Sequence, residues 1–448
     1  MAGGFIWDWV DQGIYAPGTN HVLYGGDFGD KPNLKAFCLN GVVFSDRSVS
    51  AKYQEVKHVY APVWITQKGD EIWVKNHHSH LSLEGFSCQY QVTKNGVVGQ
   101  ESVLKMPSVQ PGDSAKLCSL HDFKAYKNTD SRLNISVISQ QGVEVGREQI
   151  ALSDNLYEAG WKLAADAMKR YKSSRRLATL STAELLARNI SVIPQFFRAP
   201  TDNDKSFGNW IAKDWKKTHL DSTLSAIPLK DGEYVYHYGE DGASDKAGSS
   251  ASAKSGGNIR LRLEVAPQQD GFVDVKATYS FEGNLPELPR LGLMMKLPRV
   301  AYDQVKWYGR GPWENYPDRK QSCPIGWYES SVENQFTHYP RPQDNGNHED
   351  CSYIELTNKN GKNALQVIAV GDTPLSFSAL PYSVADLYAA RHDFELKQSG
   401  NPNLRYTCLS LDCAVLGLGN SSCGPGVLKK YAIDKTRSYT LHFKMRIL

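Results

Sequence analysis

Between Tyr439 and Ile447 the apolar residues Tyr439, Leu441, Phe443, Met445 and Ile447 alternate without a break with Thr440, His442, Lys444 and Arg446. The same alternation sets Ile259, Leu261, Leu263 and Val265 against Arg260, Arg262 and Glu264. A period of two puts each set on its own face of an extended chain, so these strands have one dry face and one wet face. Antiparallel sheets covered on one side are built this way. Strands of this kind dominate residues 190–448, which read as one large antiparallel sandwich. Within it the Ser/Ala/Gly-rich stretch Gly242 to Gly257 reads as a flexible surface loop. The 37 glycines and 21 prolines supply the turns of a mainly β chain.

Residues 60–155 carry shorter strands of the same period, including Ile72-Trp73-Val74, Phe86 to Val92 and Leu133 to Val137, separated by turns such as Asn95-Gly96 and Pro111-Gly112-Asp113. That spacing predicts a small immunoglobulin-like sandwich. Residues 156–189 are rich in Ala, Leu and Lys and free of proline until the next segment, which predicts a helical connector. Its cluster Lys169, Arg170, Lys172, Arg175 and Arg176 reads as a solvated helix face. Residues 1–59 differ again. The apolar run Gly4 to Val10 reads as a strand buried on both faces, as inside a parallel barrel, and Ala51 to His58 reads as a short helix.

The charge balance of 51 basic against 48 acidic residues, formally +3, gives no basis for a nucleic-acid or acidic-membrane partner. The eight cysteines form no C-x-x-C pair, so a zinc ribbon, a thioredoxin-like site or a dense disulfide framework is not expected. No apolar stretch is long enough to cross a bilayer as a helix, and no signal peptide opens the sequence.

The densest polar-aromatic region is GGFIWDWVDQGI (Gly3 to Ile14), followed by YGGDFGDKPN (Tyr24 to Asn33) and FCLNG (Phe37 to Gly41). Trp7 and Trp9 flank Asp8 at a strand's end, and an indole offers a flat apolar face suited to the C–H face of a sugar ring. The same two residues could equally fill a core. Glycoside hydrolysis needs two carboxyl groups, one acid and one nucleophile or base. Asp8, Asp11, Asp27, Asp30, Asp202, Asp204 and Glu314 are available, yet none sits in a decisive pattern. Asp202-Asn203-Asp204 reads as a turn or a hard-cation site. Glu314, with Arg310 and Arg319 nearby, reads as part of an ion-pair network.

Taken together, GGFIWDWVDQGI, YGGDFGDKPN, FCLNGVVFSDR, FRAPTDND (Phe197 to Asp204), GRGPWENYPDR (Gly309 to Arg319), PYSVADLYAARHDFEL (Pro381 to Leu396) and GLGNSSCGPG (Gly417 to Gly426) resemble the C-terminal part of bacterial β-galactosidases of glycoside hydrolase family 2. The resemblance implies a remnant of a TIM barrel over residues 1–59, an immunoglobulin-like domain over 60–155 and a galactose-mutarotase-like supersandwich over 190–448. It places both catalytic glutamates on earlier barrel strands, so this chain carries no catalytic residue. Trp7 matches the platform beneath the galactosyl ring. Phe37, by its carbonyl, and Asn40, by its side chain, match sodium-site positions, and Asn33 matches a position near a magnesium site. Asn40 and the loop around Cys423 would also face substrate; Cys423 stands where some members carry a stacking tryptophan. Tyr157 to Asn189 matches no family pattern.

The function so implied is the C-terminal portion of an enzyme hydrolysing terminal β-D-galactosides with retention, through glutamates about 5 Å apart. This chain would supply scaffold and active-site rim, with Mg2+ and Na+ at sites it completes only in part, and the isolated chain would be inactive. Its partners would be a galactoside, the missing N-terminal part and, in an assembly, further copies of itself, in the cytoplasm or periplasm. The alternative is a non-catalytic carbohydrate-binding or complementing assembly module.

Overall fold

A computed structural model describes residues 3–126, 128–171, 191–205, 211–225, 231–240, 242–247, 256–268, 271–361, 364–371, 374–397, 405–420 and 426–447. The protein is mainly β, as expected, and every strand pair within its sheets is antiparallel.

A nine-stranded and a five-stranded sheet make the large sandwich. The nine strands lie in the spatial order 242–247, 232–239, 257–267, 273–283, 439–447, 365–369, 353–357, 304–310 and 325–331. The five lie in the order 191–195, 290–298, 406–415, 375–380 and 348–351. The alternation seen in the sequence sorts side chains as it should. Leu261, Leu263, Leu441 and Phe443 enter the core and meet Leu293, Met295, Leu409 and Leu411 from the other sheet, all essentially inaccessible to solvent. Each such side chain contributes about 1.5–3 kcal/mol by leaving water, which makes a one-residue slip in register prohibitive.

One expectation fails inside this sandwich. Gly242–Ala247, read as loop, is an edge strand whose residues pair with Tyr234 to Gly239. Its weak side-chain propensity is overridden by a neighbour that offers a full row of backbone partners. The rest of that stretch up to Ser255 lies outside the described residues.

Residues 63–153 form a second, seven-stranded sandwich. Strands 63–68, 71–76 and 114–119 face strands 97–104, 87–94, 131–138 and 144–153. Val63, Ile72, Val74, Cys88, Val92, Leu133, Ile135 and Val137 fill the space between the two sheets.

The helix Leu156–Tyr171 is docked rather than solvated along its first turns. Leu156, Ala159 and Ala164 are buried with Tyr308, Tyr353 and Ile368 of the nine-stranded sheet. Gly160 permits this closeness: a Cβ there would lie 2.7 Å from the carbonyl oxygen of Ser352. Arg446 Nη2 donates to the Ala164 carbonyl at 3.0 Å, which explains a buried arginine on a strand's otherwise wet face. The remainder of the expected connector, 172–189, lies outside the described residues, as do the side chains of Lys169 and Arg170.

The run Gly4 to Val10 is the clearest correction. No strand forms; Val10 makes a single parallel bridge to Val43, and Phe5, Ile6, Trp7 and Trp9 are exposed. Residues 8–12 exchange hydrogen bonds with residues 38–43 along one edge: Val42 N donates to Asp8 O at 2.9 Å, Val43 N to Trp9 O at 2.9 Å and Asp11 N to Val43 O at 3.0 Å. An inner barrel strand needs a neighbour on the other edge as well, and none is present among the described residues. The helix Ala51–Val59 forms as expected.

Candidate functional site

The sequence-derived site residues gather on the loops that fold back over residues 7–12. Gly41 is the joint. A Cβ at this position would stand 2.1 Å from Asp11 N, 2.4 Å from the Val10 carbonyl carbon and 2.6 Å from Val43 O, so only glycine lets the FCLNG loop lie against the segment. Asp11 clamps it, its Oδ1 accepting from Gly41 N at 2.6 Å. Burial pushes the Asp11 carboxyl up and the Lys52 ammonium counteracts this in part. Asp11 is therefore a structural clamp, not a free acid.

Beside that joint, Asn40 holds its side-chain oxygen in the interior with no hydrogen-bond donor to meet it. A buried amide oxygen without a partner is costly in protein and well suited to a hard cation. Phe37, half exposed, lies three residues earlier on the 3-10 turn Lys35–Cys38. Asn33 behaves differently. Its amide nitrogen donates to Asp30 O at 2.7 Å and its Oδ1 accepts from Lys35 N at 3.1 Å, so its side chain is spent on the turn that aims the loop. Among the described residues no three His, Cys, Asp or Glu side chains converge as metal ligands. The fit to a cation thus rests on Asn40 and holds only with further oxygens from elsewhere.

Trp7 is 75% exposed and offers its indole to solvent beside this joint. Trp9, by contrast, meets Tyr53 of the helix Ala51–Val59 edge-on, with ring centroids 6.0 Å apart. Cys423 lies outside the described residues.

Cross-links tie this rim to the large sandwich. His392 Nε2 lies 2.7 Å from Asp27 Oδ2, and Arg391 lies 3.5 Å from its other oxygen. Burial would raise the Asp27 carboxyl, but the Tyr24 N–H and His392 outweigh it and hold it below the usual carboxylate range. Tyr24 also donates its hydroxyl to the Arg391 carbonyl. From the helix Ala51–Val59, Glu55 accepts from the backbone N–H groups of Gln321 and Ser322 at 3.2 and 3.0 Å. None of these links joins neighbours in sequence, so no sequence pattern announces them.

The other carboxylates prove structural. Asp30 accepts from Gly26 N at 2.9 Å within its own turn. Asp204 forms a two-pronged pair with the fully buried Arg198 at 2.8 and 3.0 Å and also accepts from Thr201 N. Asp202 is held by Arg341 at 3.3 Å and Gln343 at 3.2 Å, and the stretch read as a turn or a cation site is a single helical turn, Asp202–Lys205, with both its acids engaged by protein donors. Glu314 accepts from Arg319 at 2.8 Å, the Tyr339 hydroxyl at 2.6 Å and Gly346 N at 2.7 Å. Burial opposes its charge, yet Arg319 and these donors hold its carboxyl low. Arg310, the other expected partner, pairs with Asp350 instead.

A cavity of about 820 Å³ opens between residues 44–51 and the loops around Trp313, His338 and Phe394. Its carboxylates are committed: Asp46 to Ser48, Glu314 as above, and Asp393 to His338 at 3.0 Å. No uncommitted acid faces a second carboxylate there, as glycoside cleavage would need.

Residues 168–446 match the family described as Beta galactosidase small chain, and residues 1–65 match the Glycosyl hydrolases family 2, TIM barrel domain. The chain is 28% identical over 489 residues to a β-galactosidase of Priestia megaterium, covering all of this chain and 45% of that protein. It is 29% identical over 478 residues to one of Lactobacillus delbrueckii subsp. bulgaricus, covering all of this chain and 44% of that one. The chain therefore spans somewhat under half the length of these curated relatives. Among solved structures, the exo-chitosanase CsxA of Amycolatopsis orientalis aligns over 74% of this chain and 29% of its own at 10% identity, with a TM-score of only 0.20.

Proposed function

The chain belongs to the β-galactosidase small-chain family, and from that premise we propose that it supplies the rim and scaffold of a retaining β-galactosidase whose catalytic glutamates lie on polypeptide outside this sequence. The observation that carries the reading is the open edge of residues 4–10. Phe5, Ile6 and Trp7 are exposed and the backbone groups of residues 4–7 meet no hydrogen-bond partner among the described residues, within a stretch matched by a barrel domain. A barrel strand in that state is stable only when neighbouring strands cover it.

In the completed site Trp7 lies under the apolar face of the galactosyl ring, where the developing positive charge of an oxocarbenium-like transition state also favours an aromatic neighbour. Asn40 and the Phe37 carbonyl would hold a sodium ion together with oxygens from the other polypeptide, and such an ion would supply a fixed positive charge beside the sugar hydroxyls. Asn33 sets the turn near a magnesium site without lending it a free side chain. Gly41 and Asp11 keep these groups in register.

The test is reconstitution. The chain alone should not hydrolyse an aryl β-galactoside, and addition of a polypeptide carrying the preceding barrel strands should produce turnover that needs Trp7. Turnover by the chain alone, or a Trp7→Ala variant that complements at full rate, would overturn the proposal.

A further inference from the structure

We propose that the cleft where the seven-stranded sandwich, the helix Ala51–Val59 and residues 320–324 meet is an accessory binding site for a neutral saccharide. It contains none of Trp7, Asn33, Phe37 and Asn40, meets the rim only through its tie at Gln321 and Ser322, and does not depend on the function proposed there. The cleft has a volume of about 320 Å³, enough for one sugar ring.

Its lining presents both donors and acceptors with capacity to spare. Among the described residues Arg147 has only Glu144, at 3.4 Å, as an ionic partner. Arg310 uses Nε on Asp350 and Nη1 on the Lys320 and Cys323 carbonyls, which leaves Nη2 without a hydrogen-bond partner among the described residues. Asn134 accepts from Gln149 through Oδ1 and keeps both amide hydrogens. Glu148 accepts from Gln149 N through Oε1 and keeps Oε2 as a second acceptor.

Charge balance selects the ligand class. Each guanidinium at the cleft already has a carboxylate: Arg147 has Glu144, Arg310 has Asp350, and Arg132 has Asp130 and Asp154. With Glu148 added, an anion finds no net attraction, while a cation meets guanidinium edges. Hydroxyl groups, each able to donate and accept, match a neutral mixed lining of planar polar side chains. The cleft also continues into a second one of about 200 Å³ through His58, Arg147, Glu148 and Gln321. There Trp64, backed by the His77 ring at 4.3 Å, leaves 45% of its surface exposed for contact with a second ring. The walls are held in place because Gln149 bonds both N and O of Ile325, at 2.8 and 2.9 Å, across the two sandwiches.

Galactose, glucose and lactose would be titrated separately into the intact chain, read by calorimetry and tryptophan fluorescence. The expected result is saturable binding of at least one of them, weakened roughly tenfold by Arg147→Ala and by Glu148→Gln. Trp64→Ala should remove the fluorescence change, and Trp7→Ala should leave binding intact. Circular dichroism melts check folding, and Glu148→Gln, nearly isosteric, carries the test if Arg147→Ala unfolds. The absence of saturation by all three sugars up to roughly 100 mM would overturn the inference. So would binding that Trp7→Ala abolishes and Arg147→Ala and Glu148→Gln spare.

Discussion

Replacing Phe5 and Ile6 together by aspartate should make the chain less prone to associate without making it less stable. Phe5 is fully exposed, and Ile6, Trp7 and Trp9 expose about half or more of their surface. These four residues present on the order of 600 Å² to water, the upper end of what a monomer usually leaves open. At about 25 cal/mol per Å², covering that area would release ~15 kcal/mol before the costs of association are subtracted. Phe5 alone accounts for roughly a third of it. Sedimentation velocity across a concentration series should show the unmodified chain self-associating and the double variant monomeric at the same concentrations. A urea melt should place the two within about 0.5 kcal/mol, because an exposed side chain has little native packing to lose. The variant should also bind the complementing polypeptide at least a hundredfold more weakly. A variant that melts several kcal/mol lower would refute the reasoning, because Phe5 and Ile6 would then be buried within this chain. Unchanged self-association would refute it too.

Asp204→Ala should cost about 3–5 kcal/mol in a urea melt, since it leaves Arg198 charged and buried, whereas the double change Arg198→Met and Asp204→Leu should recover most of that loss. His348 is buried and held down to about pKa 4, so stability is flat above the unfolded value near 6.5 and falls as pH drops towards 4, because only the unfolded chain takes up the proton there. The loss should reach about 3 kcal/mol by pH 4 in melts of the unmodified chain and shrink in His348→Gln. Gly41→Ala should abolish complementation while leaving the main melting transition in place, since the displaced Asp11 and Val43 contacts belong to the rim and not to either sandwich.

What could be read from the sequence follows from where the determining partner lies. The strand Tyr439–Ile447 was legible because alternation encodes its own two faces, and the neighbour at 273–283 merely supplies the dry side. The helix over 156–171 was legible as a helix but not as a docked one. Its Ala and Lys content suits either state, and Gly160, the residue that admits the Ser352 carbonyl, was the only clue. Gly242–Ala247 was missed because its strand character comes from backbone pairing with Tyr234 to Gly239 rather than from its own side chains. Gly4 to Val10 misled in the opposite sense: an apolar run signals a wish for burial and says nothing about which chain provides it. At the rim, Trp7 and Asn40 were found by motif, but the orphaned amide oxygen of Asn40 and the Asp27–His392 link exist only in three dimensions. The tie of Asp27 and Tyr24 to residues 391 and 392 also means that removing Met1 to Arg47 would break contacts of the large sandwich, a cost that composition does not reveal.

Hydrogen exchange of the Gly4 to Trp7 amides tests the open edge most directly. In the chain alone these amides should exchange within seconds, like an unpaired segment, while those of Val42 and Val43 are protected by their bonds to residues 8 and 9. Adding polypeptide with the preceding barrel strands should slow the Gly4 to Trp7 amides by orders of magnitude. Strong protection of Gly4 to Trp7 in the isolated monomeric chain would contradict the proposed role as half of a shared barrel.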